Sequence, residues 1–167
     1  MIGWAAEVAQ LAAELTRGFE ATHGFEPGDN YVRLADRQAR PSTVRAGAFL
    51  PVTLADFYGV VAEASLPDVH YGFFVDPVET VLAGAGTVHP TKAVGAVEGY
   101  IVVFGTSGGG DLIAMTADGR VYMMSGALGP ASVLDVDEAD IRATFRDLAE
   151  FLASLKAQLR DAVADLH

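Results

Sequence analysis

The pair Asp118-Gly119 lies between two apolar runs, and this feature limits most strongly how the chain can fold. An Asp-Gly pair between two apolar runs is the strongest short-range signal of a hairpin, so it predicts a β-hairpin from segments 111–117 and 120–125. The continuous apolar run 100–104 is bounded by glycines, which is typical of a central strand buried on both faces. A mainly antiparallel central sheet is therefore expected.

Three amphipathic segments predict helices that pack on this sheet. Thr53 followed by Asp56 is typical of a capping box and predicts a helix over 53–64. An N-terminal helix is indicated by apolar residues at spacings of three and four: Trp4, Val8, Leu11, Leu15 and Phe19. A long C-terminal helix after Asp137 is indicated in the same way by Ile141, Phe145, Leu148, Leu152, Leu155, Leu159, Val163 and Leu166.

Further strands are expected at 69–75 and 131–134, with a short helix that Asp76 caps and that runs to about residue 82. Segment 23–45 is expected to be mostly loop, with a brief strand around Tyr31. Since helices and strands do not alternate regularly, the prediction is one α+β domain over residues 1–167, in which 1–49 form an N-terminal helix and loop extension.

Charge and composition exclude several classes of function. The chain carries 22 acidic and 11 basic side chains, a net charge of −11, which argues against direct binding of nucleic acid because phosphate groups attract clustered lysine and arginine. Cysteine is absent, so disulfides and thiolate metal sites are excluded. His23, His70 and His89 occur singly, so no metal or cofactor is expected. No signal peptide or long apolar span is visible, and a cytoplasmic protein that makes no membrane contact is expected.

The stretch from Gly105 to Gly109 matches the G-x-S-x-G pattern of a hydrolase nucleophile elbow, with Ser107 as the nucleophile. An elbow leads directly into a helix, whereas further glycines and a predicted strand follow Ser107. The usual order of the catalytic residues also requires a histidine downstream, and His167 is the one candidate. A glycine-rich connection between strands is the preferred interpretation, and a small serine hydrolase is the alternative.

Several short motifs occur in an order that resembles the SUKH superfamily, which includes fungal cell-wall-assembly regulators linked to killer-toxin resistance. These motifs are Leu50-Pro51 with the pair Phe57-Tyr58, the stretch from Val103 to Asp111, the hairpin at Asp118-Gly119, and Phe151-Leu152. The similarity covers about residues 50–155. The chain departs from the usual family pattern at residues 60–63, where an Asn-Gly pair is often found, and residues 1–45 match no part of it.

The resemblance implies a non-enzymatic protein-binding module, since many bacterial members are immunity proteins that bind and neutralise a toxin. Segment 51–134 holds 8 acidic and 2 basic side chains, so a basic toxin domain is a suitable partner. Solubility alone could equally explain this acidity. The candidate partner-binding residues are Glu63, Asp68, Asp76, Glu79, Asp111 and Asp118. An alternative is a regulatory scaffold that forms a homodimer through the C-terminal helix, so both monomer and dimer remain open.

Overall fold

The computed structural model describes residues 1–36 and 50–166, and these residues form an α+β domain. The helices are α1 (Ile2–His23), α2 (Val52–Tyr58), α3 (Val78–Gly84) and α4 (Leu148–Ala164), with 3-10 turns at Pro130–Ser132 and Glu138–Asp140. The strands are β1 (Tyr31–Leu34), β2 (Val61–Leu66), β3 (Phe73–Val75), β4 (Lys92–Gly95), β5 (Gly99–Ser107), β6 (Leu112–Thr116), β7 (Val121–Met124), β8 (Ala127–Leu128), β9 (Val133–Val136) and β10 (Ile141–Phe145).

The main sheet has the strand order β1-β2-β3-β5-β6-β7-β10, and each neighbouring pair is antiparallel. β5 is the longest strand, and its first residues also pair with β4. β4 continues into a small second sheet through a parallel pairing with β9, which in turn pairs with β8. The predicted antiparallel sheet and the hairpin at Asp118-Gly119 are confirmed, and the parallel β4–β9 pair is an addition to them.

The two faces of β5 contribute to two separate apolar clusters. Phe104 belongs to the larger cluster, in which α1, α2 and α4 pack on one face of the main sheet. Ile101 and Val103 belong to the smaller cluster, which β4, β9 and neighbouring strands complete. The prediction of a central strand buried on both faces is therefore confirmed. None of the helices in these parts of the chain combines the length and the apolar character needed to cross a bilayer.

The N-terminal and C-terminal helices pack against each other within the helical layer. The indole nitrogen of Trp4 donates a hydrogen bond to the carbonyl oxygen of Leu152 at 2.8 Å. At the surface, Glu7 accepts from Lys156 at 3.0 Å and from Arg160 at 3.1 Å. These contacts join the ends of the sequence, so α1 is an integral part of the domain.

Two predicted helices are shorter than expected, because each is partly replaced by a strand. Helix 53–64 ends at Tyr58, and after Gly59 the chain enters β2. The C-terminal helix begins at Leu148, since segment 141–145 pairs with β7 as β10. The predicted strand 69–75 forms only over Phe73–Val75. Within the segment 23–45, predicted to be mostly loop, the brief strand expected around Tyr31 is β1 (Tyr31–Leu34). Positions 37–45 of this segment lie outside the described residues.

The two predicted helix caps are also wrong, because a proline occupies each cap position. Pro51 precedes α2 and Pro77 precedes α3, and neither helix has a side-chain cap. The hydroxyl of Thr53 points instead to the sulfur of Met115 at 3.8 Å. The fixed φ of proline suits the start of a helix, so each helix begins at its proline and not at the predicted capping residue.

Candidate functional site

A cleft lies at the end of the main sheet where β3 and β6 begin and β5 and β7 end. Its volume is about 360 Å³, and we call it the Tyr71 cleft. Its walls are formed by the loop before β3, the turn between β5 and β6, and strands β7 and β10. The lining residues are Tyr71, Gly109, Asp111, Met123 and Arg142. The antiparallel register places Phe73 opposite Ser107, which brings the loop before β3 against the turn between β5 and β6.

Backbone contacts hold these two loops together. The backbone N–H of Gly108 donates to the carbonyl oxygen of Gly72 at 3.1 Å. A side chain at position 108 would collide with the carbonyl oxygen of Tyr71, so only glycine permits this close approach. The position of Tyr71 relative to the β5–β6 turn is therefore fixed by main-chain atoms.

Asp111 is the acidic group of the cleft, and its side chain is 17 % exposed. The Ser107 hydroxyl donates to Oδ2 of Asp111 at 3.2 Å and accepts from the Asp111 backbone N–H at 3.1 Å. On the outer side, Nε of Arg142 lies 3.5 Å from Oδ1, and the Arg142 side chain is 61 % exposed. The carboxylate thus accepts one hydrogen bond from Ser107 on the protein side and has one long contact with an exposed arginine on the solvent side.

Tyr71 provides the aromatic wall and is 70 % exposed. The preceding residue, His70, has a positive φ of 54°, a conformation that non-glycine residues seldom adopt. The rings of His70 and Tyr71 are in edge contact, with their centroids 4.1 Å apart. The strained backbone at His70, next to an exposed aromatic side chain, makes this segment a candidate for a functional role.

Two of the other predicted acids have structural partners. Asp68 accepts from the backbone N–H of Gly28 at 2.7 Å and from the Asn30 side chain at 2.6 Å. Glu63 forms an ion pair with Arg33 at 2.9 Å and accepts from the Tyr31 hydroxyl at 3.1 Å. These contacts attach the segment after α1 and strand β1 to the rest of the sheet.

The remaining predicted acids lie elsewhere. Asp118 is in the β6–β7 turn beside Arg120, so the length of β6, about 17 Å for five residues, separates it from Asp111. Asp76 and Glu79 lie near the start of α3. Partial burial raises the pKa of Asp76, and the nearby His89 opposes that shift. The six acids are therefore not one continuous patch, and Asp111 alone lines the Tyr71 cleft.

A second cavity, of about 330 Å³, lies between α3 and β5. Its walls are mostly apolar, and they include Val81 and Leu82 of α3 together with segment 101–103 of β5. The polar side chains His89, Thr91 and Tyr100 also line it. His89 lines this cavity, whereas neither Asp76 nor Ser107 does.

Ser107 does not lead into a helix, as the serine of a nucleophile elbow does. It is 4 % exposed and ends β5, and the chain returns directly as β6. The second cavity, which His89 lines, is distant from Ser107. Its nearest lining residue on β5 is Val103, four positions from Ser107, or about 13 Å along a strand. His167 lies outside the described residues. The arrangement of strand, tight turn and strand agrees with the interpretation of this stretch as a glycine-rich connection.

Tyr71, Met123 and Arg142 were not identified as candidates from the sequence. The sequence patterns predict a strand at Tyr71 and a helix at Arg142, and neither pattern indicates that these residues approach Asp111. Across 1–36 and 50–166, no group of three or more histidine, aspartate or glutamate side chains is arranged to hold a metal ion. Comparison with protein-family models, with curated proteins and with solved structures gives no match.

Proposed function

We propose that this chain is a protein-binding module of the SUKH type, and specifically an immunity protein that neutralises a basic toxin domain by covering its surface. The observation that carries the proposal is the Tyr71 cleft, in which an exposed tyrosine stands beside a partly buried carboxylate. The proposal further assumes a bacterial cytoplasm as the compartment, where an immunity protein would meet its toxin.

Tyrosine and arginine are the residue types that contribute most often to binding energy at protein interfaces, together with tryptophan. Tyr71 and Arg142 supply both types at the edge of the cleft. The β5–β6 turn adds glycines, which leave the main chain open to a partner. A rigid backbone also favours binding, because less conformational entropy is lost when the partner docks.

The charge of the chain supports a basic partner. The net charge of −11 creates an attractive field for a cationic surface, which can raise association rates by about 10- to 1000-fold at low salt. A nuclease toxin is a partner of this kind, since its active cleft must attract phosphate groups. The charge acts over a distance, whereas the Tyr71 cleft provides the local contact.

The test uses the genes that flank the gene for this chain. Where one of them encodes a secreted protein with a toxic C-terminal domain, that domain is expressed alone or together with the full chain. We expect co-expression to restore growth, and we expect the purified proteins to associate more slowly as salt is added. The proposal is overturned if the chain neither restores growth nor binds the toxic domain.

The matched variants are Tyr71→Ala in the cleft and Tyr100→Ala at the second cavity, since both tyrosines are highly exposed. We expect the change at Tyr71 to weaken binding at least tenfold, the effect of losing about 1.4 kcal/mol. The change at Tyr100 serves as the control and should leave binding within twofold. Equal losses in both variants, or a loss confined to Tyr100, would assign the interface to another surface.

A further inference from the structure

We propose that the Tyr71 cleft binds an arginine side chain of the partner, which displaces Arg142 from Asp111. That the arginine belongs to a protein partner rests on the proposed function. The affinity of the cleft for a guanidinium group can be measured without the partner. The argument depends on three features of the cleft: its chemical surface, the weak contact of Arg142, and the support behind Asp111.

The walls of the cleft match a guanidinium group. Asp111 offers a carboxylate, which can accept two parallel N–H bonds from arginine. Tyr71 offers an aromatic ring, on which a planar cation can stack, and Met123 offers a polarizable thioether. Lysine could satisfy the carboxylate, but its compact ammonium is more strongly hydrated and stacks less well. The cleft is therefore expected to prefer arginine.

The protein already places one guanidinium at this site. Arg142 contacts Asp111 through Nε at 3.5 Å, and the side chain is 61 % exposed. The ion pair of Arg33 with Glu63 is shorter, at 2.9 Å. Since exposed ion pairs contribute only about 0–1 kcal/mol, a second guanidinium that also stacks on Tyr71 can replace Arg142.

Asp111 is supported for this exchange. The hydrogen bond from the Ser107 hydroxyl to Oδ2 does not involve Arg142, and the Asp111 backbone N–H donates to the same hydroxyl and so holds the serine in place. The acceptor is therefore in place before the ligand arrives, which reduces the entropy lost on binding. Arg142 then acts as an internal competitor that keeps the carboxylate paired until a partner arrives.

The experiment is an NMR titration of the ¹⁵N-labelled full chain with N-acetyl-L-arginine N-methylamide. The corresponding lysine and glutamate derivatives serve as probes of charge and shape. We expect the arginine probe to shift the amide signals of 71–72 and 108–111 in a saturable manner. The lysine probe should bind more weakly, and the glutamate probe should leave these signals unchanged.

Four variants assign the contacts. Asp111→Asn and Tyr71→Ala should each raise the dissociation constant of the arginine probe, for Asp111→Asn by about tenfold or more, as expected for a hydrogen-bonded charge. Arg142→Ala should instead lower it by about twofold to fivefold, because the competitor is removed. Asp118→Asn is the matched control, since Asp118 also pairs with an arginine but lies at the other end of β6.

The opposite response of Arg142→Ala decides the proposal. If this variant binds the arginine probe more weakly, Arg142 is not a competitor and the proposal is wrong. If the glutamate probe binds through Arg142, the cleft is an anion site and the proposal is also wrong. Absence of saturable binding by the arginine probe also overturns it. The proposed function is tested separately by growth rescue, so rescue without binding of the arginine probe would overturn only the inference about arginine.

Discussion

Leu159→Ala tests whether the apolar stripe of α4 belongs to the core of its own chain. Leu159 is completely buried in the cluster that includes Val8 and Leu15 of α1. The same stripe, with Leu152 and Leu155, is the surface through which a dimerising scaffold would associate. Because the chain's own core already buries these residues, we expect the substitution to destabilise a single chain.

The expected loss follows from the atoms removed. Leucine exceeds alanine by three carbon atoms, and each buried carbon contributes about 0.8 kcal/mol, so transfer alone accounts for about 2.4 kcal/mol. The incompletely filled cavity adds a further cost, which brings the expected loss of unfolding free energy to about 3–4 kcal/mol. With a urea m-value of about 2 kcal/mol/M, the unfolding midpoint should fall by about 1.5–2 M.

The assay is urea unfolding followed by far-UV circular dichroism at two protein concentrations that differ widely. The midpoint should be independent of concentration, since folding of a monomer does not depend on mass action. Leu128→Ala is the control: Leu128 is mostly exposed on β8, and its substitution should change stability by less than about 0.5 kcal/mol. A loss below about 1 kcal/mol at Leu159 would contradict this packing, and a midpoint that rises with concentration would favour association through α4.

Three further predictions concern individual side chains. Asp76→Asn should increase stability near neutral pH but not below about pH 3, as measured by urea midpoints at several pH values. Burial raises the pKa of Asp76, so ionisation of this carboxyl weakens the fold as pH rises. Asp147→Ala should cost more stability at neutral pH than at low pH, as measured by the same series of urea midpoints. The hydrogen bond from the Glu150 backbone N–H lowers the pKa of Asp147, so the ionised cap is lost on acidification. Ser107→Ala should leave turnover of p-nitrophenyl acetate at the level of the unaltered chain, since the hydroxyl is bonded to Asp111; activity abolished by the change would support the hydrolase alternative.

Parts of the fold with a strong local pattern were predicted correctly from the sequence. The Asp118-Gly119 hairpin, the buried strand β5 and helix α1 formed where the turn residues and apolar spacing placed them. Segment 141–145 was assigned to a helix because Ile141 and Phe145 are four residues apart. The same residues also alternate with polar ones, and pairing with β7 decides between these two periods.

The residues around Asp147 mark the true start of α4, although the apolar spacing predicts an earlier one. The Asp147 side chain accepts from the Glu150 backbone N–H at 2.8 Å, and a Glu150 oxygen accepts from the backbone N–H of Arg146. This exchange of hydrogen bonds resembles a capping box, which marks a helix start more specifically than apolar spacing does. The helix predicted over 53–64 is too long for a similar reason, since Gly59 ends the helix before the valines of β2 begin.

The candidate site was predicted only in part, because residue type alone does not show which acids are already paired. Glu63 and Asp68 were selected for their charge, yet each is bonded to the N-terminal region. Asp111 was selected on the same basis and lines a cleft. The surroundings of each acid are set by residues distant in the sequence, such as Arg142, which contacts Asp111 in the cleft.

The glycines around Ser107 show how one sequence pattern can serve two kinds of site. In a nucleophile elbow, glycines give a strained serine room to react. Here, Gly105 and Gly108 permit the main chain to approach the carbonyl oxygens of Phe74 and Tyr71, and Ser107 is bonded to Asp111. Since the glycines fix Tyr71 and the serine fixes the carboxylate, the same residues that resemble a catalytic motif build a rigid cleft suited to a cation.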